Sequence, residues 1–156
     1  MTLIKMPGLS QSVDLSHSIY HLSHFSWAEA THNGERIPED TMFSGEIVSA
    51  ARITTNIIKI AKQLDIIRGR FGDKPITITS WYRPPAVNMA VGGVRSSQHL
   101  LGWAADIQVD GINPHMVAQI LNDSWEGGLG DSSSFTHVDL RHQMGWASAR
   151  WDYGNA

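Results

Sequence analysis

A chain of 156 residues, 42% of them hydrophobic and six of them tryptophan, is long enough to bury one core without staples. It has no cysteine, which excludes a disulfide framework and any thiolate metal site, so a bound metal has to use His, Asp or Glu. A net charge of −3 with no basic block argues against a nucleic-acid partner, and no apolar run reaches the length of a membrane span.

The segment from Met1 to Gly8 lacks the apolar centre of a signal peptide. The chain is therefore expected to be made in the cytoplasm and to act elsewhere only after release or delivery. Residues 1–24 have no clear period, and their Ser, His and Gly content predicts an extended or partly ordered arm ahead of a single domain over 25–156. His17, His21 and His24 read as solvated. Ser26 and Glu29 have the spacing of a capping box and predict a short helix, with Phe25 and Trp27 packing it down. Turns follow at Asn33-Gly34 and Pro38.

From Ser44 to about Arg70, Ile47, Ala51, Thr54, Ile57, Ile58, Ala61, Leu64 and Ile67 recur three or four apart. This predicts the main core helix, stopped near Gly72. Ile76 to Ser80 alternates and is β-branched, the pattern of a strand, with Arg83 just past its end. Pro84-Pro85 opens a short helix through Met89, closed by Gly92-Gly93. A loop then delivers His99, and Ala104 to Val109 reads as a second strand. Asn113-Pro114 starts another helix, with Met116, Val117, Ile120 and Leu121 facing inward. Gly127, Gly128 and Gly130 mark a turn or short strand; they lack the lysine and the strand–loop–helix setting of a phosphate loop. Thr136 to Leu140 is strand-like, and Trp146, Trp151 and Tyr153 in the tail are expected to cover an edge of the core. Short strands interleaved with helices give an α+β class, a small mainly antiparallel sheet with helices packed on it.

The chemistry centres on His99 and Asp106. Asp106 falls inside an otherwise apolar run from Trp103 to Ile107, where a carboxylate is costly unless paired or bound to a metal. His137 in the later strand supplies a third donor. Two imidazoles and one carboxylate suit zinc, and also other first-row ions. His137 and Asp139 could instead form a ligand pair with His99 as the third, as in iron oxygenases with two histidines and one carboxylate.

The motif Ser97-x-His99-x-x-Gly102-x-Ala104-x-Asp106, preceded by Ser80-Trp81-Tyr82-Arg83 and followed by Phe135-x-His137-x-Asp139, resembles the zinc D-Ala-D-Ala carboxypeptidase and L,D-endopeptidase family of peptidoglycan peptidases, the M15 group. The resemblance spans about residues 75 to 142. It implies a fold of the hedgehog and DD-peptidase type and one zinc per chain on His99, Asp106 and His137. It also implies action on the peptidoglycan stem peptide, as a D-Ala-D-Ala carboxypeptidase or an L-Ala-D-Glu endopeptidase. A monomer is expected, and a small domain with neither signal peptide nor wall-binding module fits a phage endolysin or virion peptidase, or a bacterial protein cropped of its leader. A non-catalytic zinc-containing binding or virion structural domain is the alternative.

By the same resemblance Arg83 holds a substrate carbonyl or carboxylate, with Tyr82 and Ser97 as further substrate contacts. Arg83 pairing structurally with an Asp, and Ser97 capping its loop, are the competing readings. Many family members carry the catalytic acid three residues before the last histidine, where this chain has Ser134. Asp139 shares a strand face with His137 and is the first candidate for the proton carrier. Its competing readings are a partner orienting the histidine and a salt-bridge partner for Arg141. Asp131 is the second candidate for the proton.

Overall fold

The computed structural model describes residues 1–154. In chain order the elements are β1 (Leu3–Ile4), β2 (Val13–Asp14), α1 (Trp27–Ala30), β3 (Thr41–Phe43), β4 (Glu46–Val48), α2 (Ala50–Arg70), β5 (Ile76–Ser80), α3 (Pro85–Ala90), β6 (Ala104–Val109), α4 (Pro114–Leu121), β7 (Gly128–Asp131), β8 (Thr136–Asp139) and β9 (Ala149–Asp152). The last five strands form one sheet in the order β5-β6-β8-β7-β9. Its pairs are antiparallel except β7 with β9, which run parallel. The chain thus adopts the expected α+β class with a small, mainly antiparallel sheet.

The long helix α2 begins where the Ser49 hydroxyl accepts the Arg52 N–H, and it ends at Phe71 before Gly72, whose φ is +73°. It buries Ile53, Ile57, Ile60, Ala61, Leu64 and Ile67. These join Ala105, Ile107, Val109, Leu129 and Val138 of the sheet in one core. Successive strand residues point to opposite faces, so Asp106, His137 and Asp139 lie on the face away from this core. Truncating the fully buried Ile57 to Ala would cost about 2–5 kcal/mol.

Several expectations are corrected. The helix starts at Ala50, not near Ser44. Ser44 and Gly45 adopt φ of 48° and 83° and turn a β3–β4 hairpin, which leaves Ile47 70% exposed. Residues 1–24 are not an extended arm: Met6 and Ile19 are buried in the core. Asp65 of α2 anchors that segment by accepting from the Tyr20 hydroxyl (2.5 Å), the Ser23 hydroxyl (2.7 Å) and the His24 N–H (3.0 Å). The capping box of Ser26 and Glu29 is present as read. Helix α4 buries Val117, Ala118 and Leu121, while Met116 and Ile120 face solvent. The tail contributes the edge strand β9 beside β7.

Candidate metal centre and its cleft

The strand register builds the centre of the site. Asp106 lies directly opposite His137, and His137 lies opposite Gly130, which pairs with Trp151. On the other side, a register shift between Ile78 and Ser80 sets Ser80 against Asp106. Such bulges re-aim side chains next to functional sites. One row of residues therefore crosses all five strands on the face away from the core, with Asp106 and His137 in its middle.

His99 reaches the same point from a 3₁₀ turn over Gln98–Leu101. The Ser97 side chain caps this turn by accepting the His99 N–H (3.3 Å). Gly102 ends it at φ +79°, where a Cβ would stand 2.9 Å from the Ile53 carbonyl oxygen; both the backbone angle and the close approach to α2 require glycine. The turn is fixed by Trp81, whose indole N–H donates to the Gly102 carbonyl (2.9 Å), and by Asn56, whose amide donates to the Leu101 carbonyl (3.0 Å).

His99, Asp106 and His137 each present one donor atom, and all three atoms lie within 4.8 Å of one another. His99 Nε2 is 3.2 Å and His137 Nδ1 is 2.9 Å from the same Asp106 oxygen. Ligands about 2.0–2.1 Å from a tetrahedral zinc stand roughly 3.3 Å apart, so the donor set already approaches that shape. All three residues are buried.

The two histidines present opposite ring nitrogens, and each choice has a cause. His99 Nδ1 is 2.6 Å from the Trp81 carbonyl, which only accepts, so this nitrogen carries the proton and Nε2 keeps a lone pair that could bind a metal. His137 Nε2 is 2.7 Å from an Asp139 carboxylate oxygen, so there Nδ1 is the nitrogen that could bind a metal. Burial lowers the His99 pKa, with Asp106 only partly offsetting it. Burial acts the same way on His137, but hydrogen bonds to Asp106 and Asp139 outweigh it and the net shift is upward. Asp106 is held below the usual carboxylate range: burial opposes ionisation, and His99 and His137 more than compensate.

A cavity of about 490 Å³ opens over this cluster. Arg83 lines it from the β5 edge, with Nε donating to the Ser80 hydroxyl (3.0 Å) and NH2 3.6 Å from Asp106. Trp151 and Tyr153 line it from the β9 edge, and Val91 and Val94 from the loop after α3. Trp151 packs at a tilt of 53° against His137 with ring centroids 5.0 Å apart, and the Arg141 guanidinium lies 4.9 Å from its ring. Gly130 makes this wall possible, since a Cβ there would lie 2.7 Å from both the Trp151 and the Tyr153 rings.

The family model for peptidase M15 matches residues 28–139, which hold all three donors and Arg83. The chain belongs to the peptidase M15 family. It is similar to the zinc D-Ala-D-Ala carboxypeptidase of Streptomyces albus G, at 40% identity over 65 residues. That stretch is 42% of this chain and 26% of the relative, so the likeness spans about a quarter of the relative's length. The strand β9 lies beyond the family match, although it supplies one wall of the cleft of this M15 member.

The structure brings His99, Asp106, His137, Arg83 and Ser97 together at the cleft. Tyr82 is not there. It is fully buried on the other side of the chain from Arg83, its oxygen accepts the Glu39 N–H (3.2 Å), and burial pushes its pKa up to about 12.

Asp139 shares the face of His137 as expected, but it is fully buried. One oxygen takes the Gly128 N–H (2.9 Å) and the Arg141 N–H (3.0 Å). The other takes His137 Nε2 and an Arg141 guanidinium N–H, each at 2.7 Å. Burial resists its ionisation, yet these donors hold its pKa well below the usual range. The carboxylate has no exposed surface in the cleft, and one of its oxygens meets His137 Nε2 directly. Asp131 does not line the cleft either; its carboxylate meets His115 Nδ1 at 2.5 Å. Ser134 lies away from the cleft, where its carbonyl accepts from Gln108 (2.8 Å).

The salt bridge between Arg141 and Asp139 is present as one of the readings had it, but the sequence did not place Arg141 or Trp151 at the cleft or show that glycines make room for them. A Gly128 Cβ would lie 2.3 Å from the Asp139 carboxylate and 2.6 Å from the Arg141 guanidinium. The alternating pair Gly128 and Gly130 was the available signal, since two glycines on one strand face mark a surface that other side chains cross.

Proposed function

We propose that this chain is a zinc-dependent peptidase that hydrolyses peptide bonds of the peptidoglycan stem, with one zinc on His99, Asp106 and His137. The observation that carries this reading is the pair of histidines, each with its non-ligand nitrogen tied to an acceptor, converging with one buried carboxylate at the foot of an open cavity. Two imidazoles and a carboxylate suit zinc with one position left open. Bound there, zinc would supply Lewis-acid polarisation of a carbonyl and acidify a water.

The chain's own residues do the rest. Arg83 offers a rigid fork of donors to a substrate carbonyl or carboxylate, and its link to Ser80 aims that fork. Asp139 holds the proton on His137 Nε2, and Arg141 with the Gly128 N–H holds Asp139. Trp146, Trp151 and Phe135 give the cavity aromatic walls that exclude water from a bound peptide. The name of the Streptomyces relative favours the terminal D-Ala-D-Ala bond, with the L-Ala-D-Glu bond as the second option. Use as a phage endolysin belongs to the same proposal.

A second reading, a non-catalytic zinc-binding or virion structural domain, is favoured by one observation. Among the described residues that line the cavity, Asp106 is the sole carboxylate. One experiment separates the two: incubate the purified protein with peptidoglycan, with and without a chelator, and identify released peptides by mass spectrometry. Chelator-sensitive release of D-Ala, or of fragments cut at L-Ala-D-Glu, supports the peptidase. Zinc binding without any cleavage supports the binding domain.

A further inference from the structure

Hydrolysis adds water across the peptide bond. The water oxygen bonds to the carbonyl carbon, the C–N bond breaks, and the nitrogen leaves as an amine carrying a proton from that water. Negative charge builds on the carbonyl oxygen on the way, and donors aimed at that oxygen lower the barrier. Arg83 is one such donor, at the β5 edge of the sheet. The opposite edge also has to be accounted for.

Tyr153 stands at that edge, immediately after β9, and lines the same cavity as Arg83 and the metal-ligand cluster. Its position is fixed from several sides. Its backbone N–H donates to the Asp131 carbonyl (2.7 Å), continuing the β7–β9 pairing past the strand end. Its ring packs against Phe135 with centroids 5.2 Å apart and edge-on to Trp151 at 6.0 Å. Gly130 beneath it leaves the space the ring occupies. The phenol feels the charges of Asp106 and Arg83; burial raises its pKa, and the nearby Trp151 indole only partly offsets this. A phenol in that state keeps its hydrogen at neutral pH and can donate it.

Two other polar groups of the lining are turned toward protein partners: the Ser97 oxygen accepts the His99 N–H, and Arg141 reaches Asp139 through Nε and NH2. We propose that the Tyr153 hydroxyl is a catalytic hydrogen-bond donor to the carbonyl oxygen of the scissile peptide, acting from the β9 edge while Arg83 acts from the β5 edge. This inference rests on the peptidase reading above.

The test is Tyr153→Phe, which keeps the ring and its packing and removes only the hydroxyl. Losing one donor from a closed site costs roughly 10²–10³-fold in kcat. Tyr153 is 41% exposed, so water screens it and a loss of about 10- to 100-fold is expected. KM and zinc content should stay at wild-type values. A second readout is calorimetric affinity for a phosphinate analogue of the scissile dipeptide, a tetrahedral mimic, which should weaken by a similar factor. Wild-type kcat and wild-type phosphinate affinity in Tyr153→Phe would overturn the inference while leaving the peptidase reading intact. A loss of zinc in that variant would also overturn it, by making the tyrosine structural. A wild-type protein that neither cleaves stem peptides nor binds the phosphinate would overturn both.

Discussion

Replacing Asp139 by Asn puts the orienting role of this buried carboxylate to the test. One oxygen of Asp139 faces the N–H groups of Gly128 and Arg141; the other faces His137 Nε2 and the Arg141 guanidinium. Arg141 Nε is shared by both oxygens, and an amide has a single acceptor oxygen, so in either orientation its NH2 confronts three donors. When the NH2 faces His137, the strain is relieved if the ring moves its proton to Nδ1, which removes the lone pair that would bind metal.

Changing such an outer partner typically weakens metal affinity 10- to 100-fold, equivalent to about 1.4–2.7 kcal/mol. The fold should also suffer, because Arg141 loses its partner. Breaking a fully buried pair costs roughly 3–5 kcal/mol. The Arg141 side chain keeps 18% of its surface exposed, which reduces the expected loss to about 1–3 kcal/mol. Competition with a chromophoric chelator measures the first effect, and thermal unfolding of metal-free protein measures the second. If Asp139→Asn bound zinc with wild-type affinity and unfolded at the wild-type temperature, yet lost activity, Asp139 would be a proton carrier and the orienting role would be wrong.

Arg83→Lys keeps the charge but loses the planar fork and the Nε bond to Ser80, so kcat/KM should fall at least tenfold with zinc content unchanged; wild-type kinetics would make Arg83 purely structural. Gly130→Ala places a methyl 2.7 Å from the Trp151 and Tyr153 rings, and should displace the β9 wall and lower stability by about 1–3 kcal/mol, read as a lower Tm with reduced cleavage but retained zinc. Asp65→Ala removes the acceptor for Tyr20, Ser23 and His24 and should free residues 1–24 to amide exchange at a cost of about 2–3 kcal/mol. Burial opposes ionisation of Asp65, but those donors leave its pKa below the ordinary 3.8. Its contribution is therefore present above about pH 4 and lost as the pH falls through the lower folded-state value, so wild type should destabilise in acid more steeply than Asp65→Ala.

How far the sequence could be read depended on how local each feature is. His99, Gly102 and Asp106 sit in one ten-residue stretch, and the small residues between them report the close pass under α2 that the structure contains. His137 could be joined to them because period-two alternation sets which strand face it takes. Depth was not legible. Asp139 does share that face, but whether it meets solvent depends on Arg141 folding back over it, and that depends on Gly128 two strand positions before Gly130 having no side chain. A helix start near Ser44 follows from the sequence because Ile47 fits a helical stripe, whereas the positive φ angles of Ser44 and Gly45 commit the chain to a hairpin. Strand β9 was hidden for a different reason. Its partner is the backbone of a glycine strand about twenty residues earlier, and a pattern within Ala149–Asp152 cannot announce a parallel pairing.

The most direct measurement is a zinc titration of metal-free protein in the presence of purified peptidoglycan, with product release followed by mass spectrometry and bound metal by elemental analysis. The three-donor centre predicts that cleavage rises linearly with added zinc and levels off at one zinc per chain. It also predicts that His99→Ala, Asp106→Ala and His137→Ala each lose both the bound metal and the product. Cleavage that persists in metal-free protein would contradict it, as would full metal occupancy after Asp106→Ala.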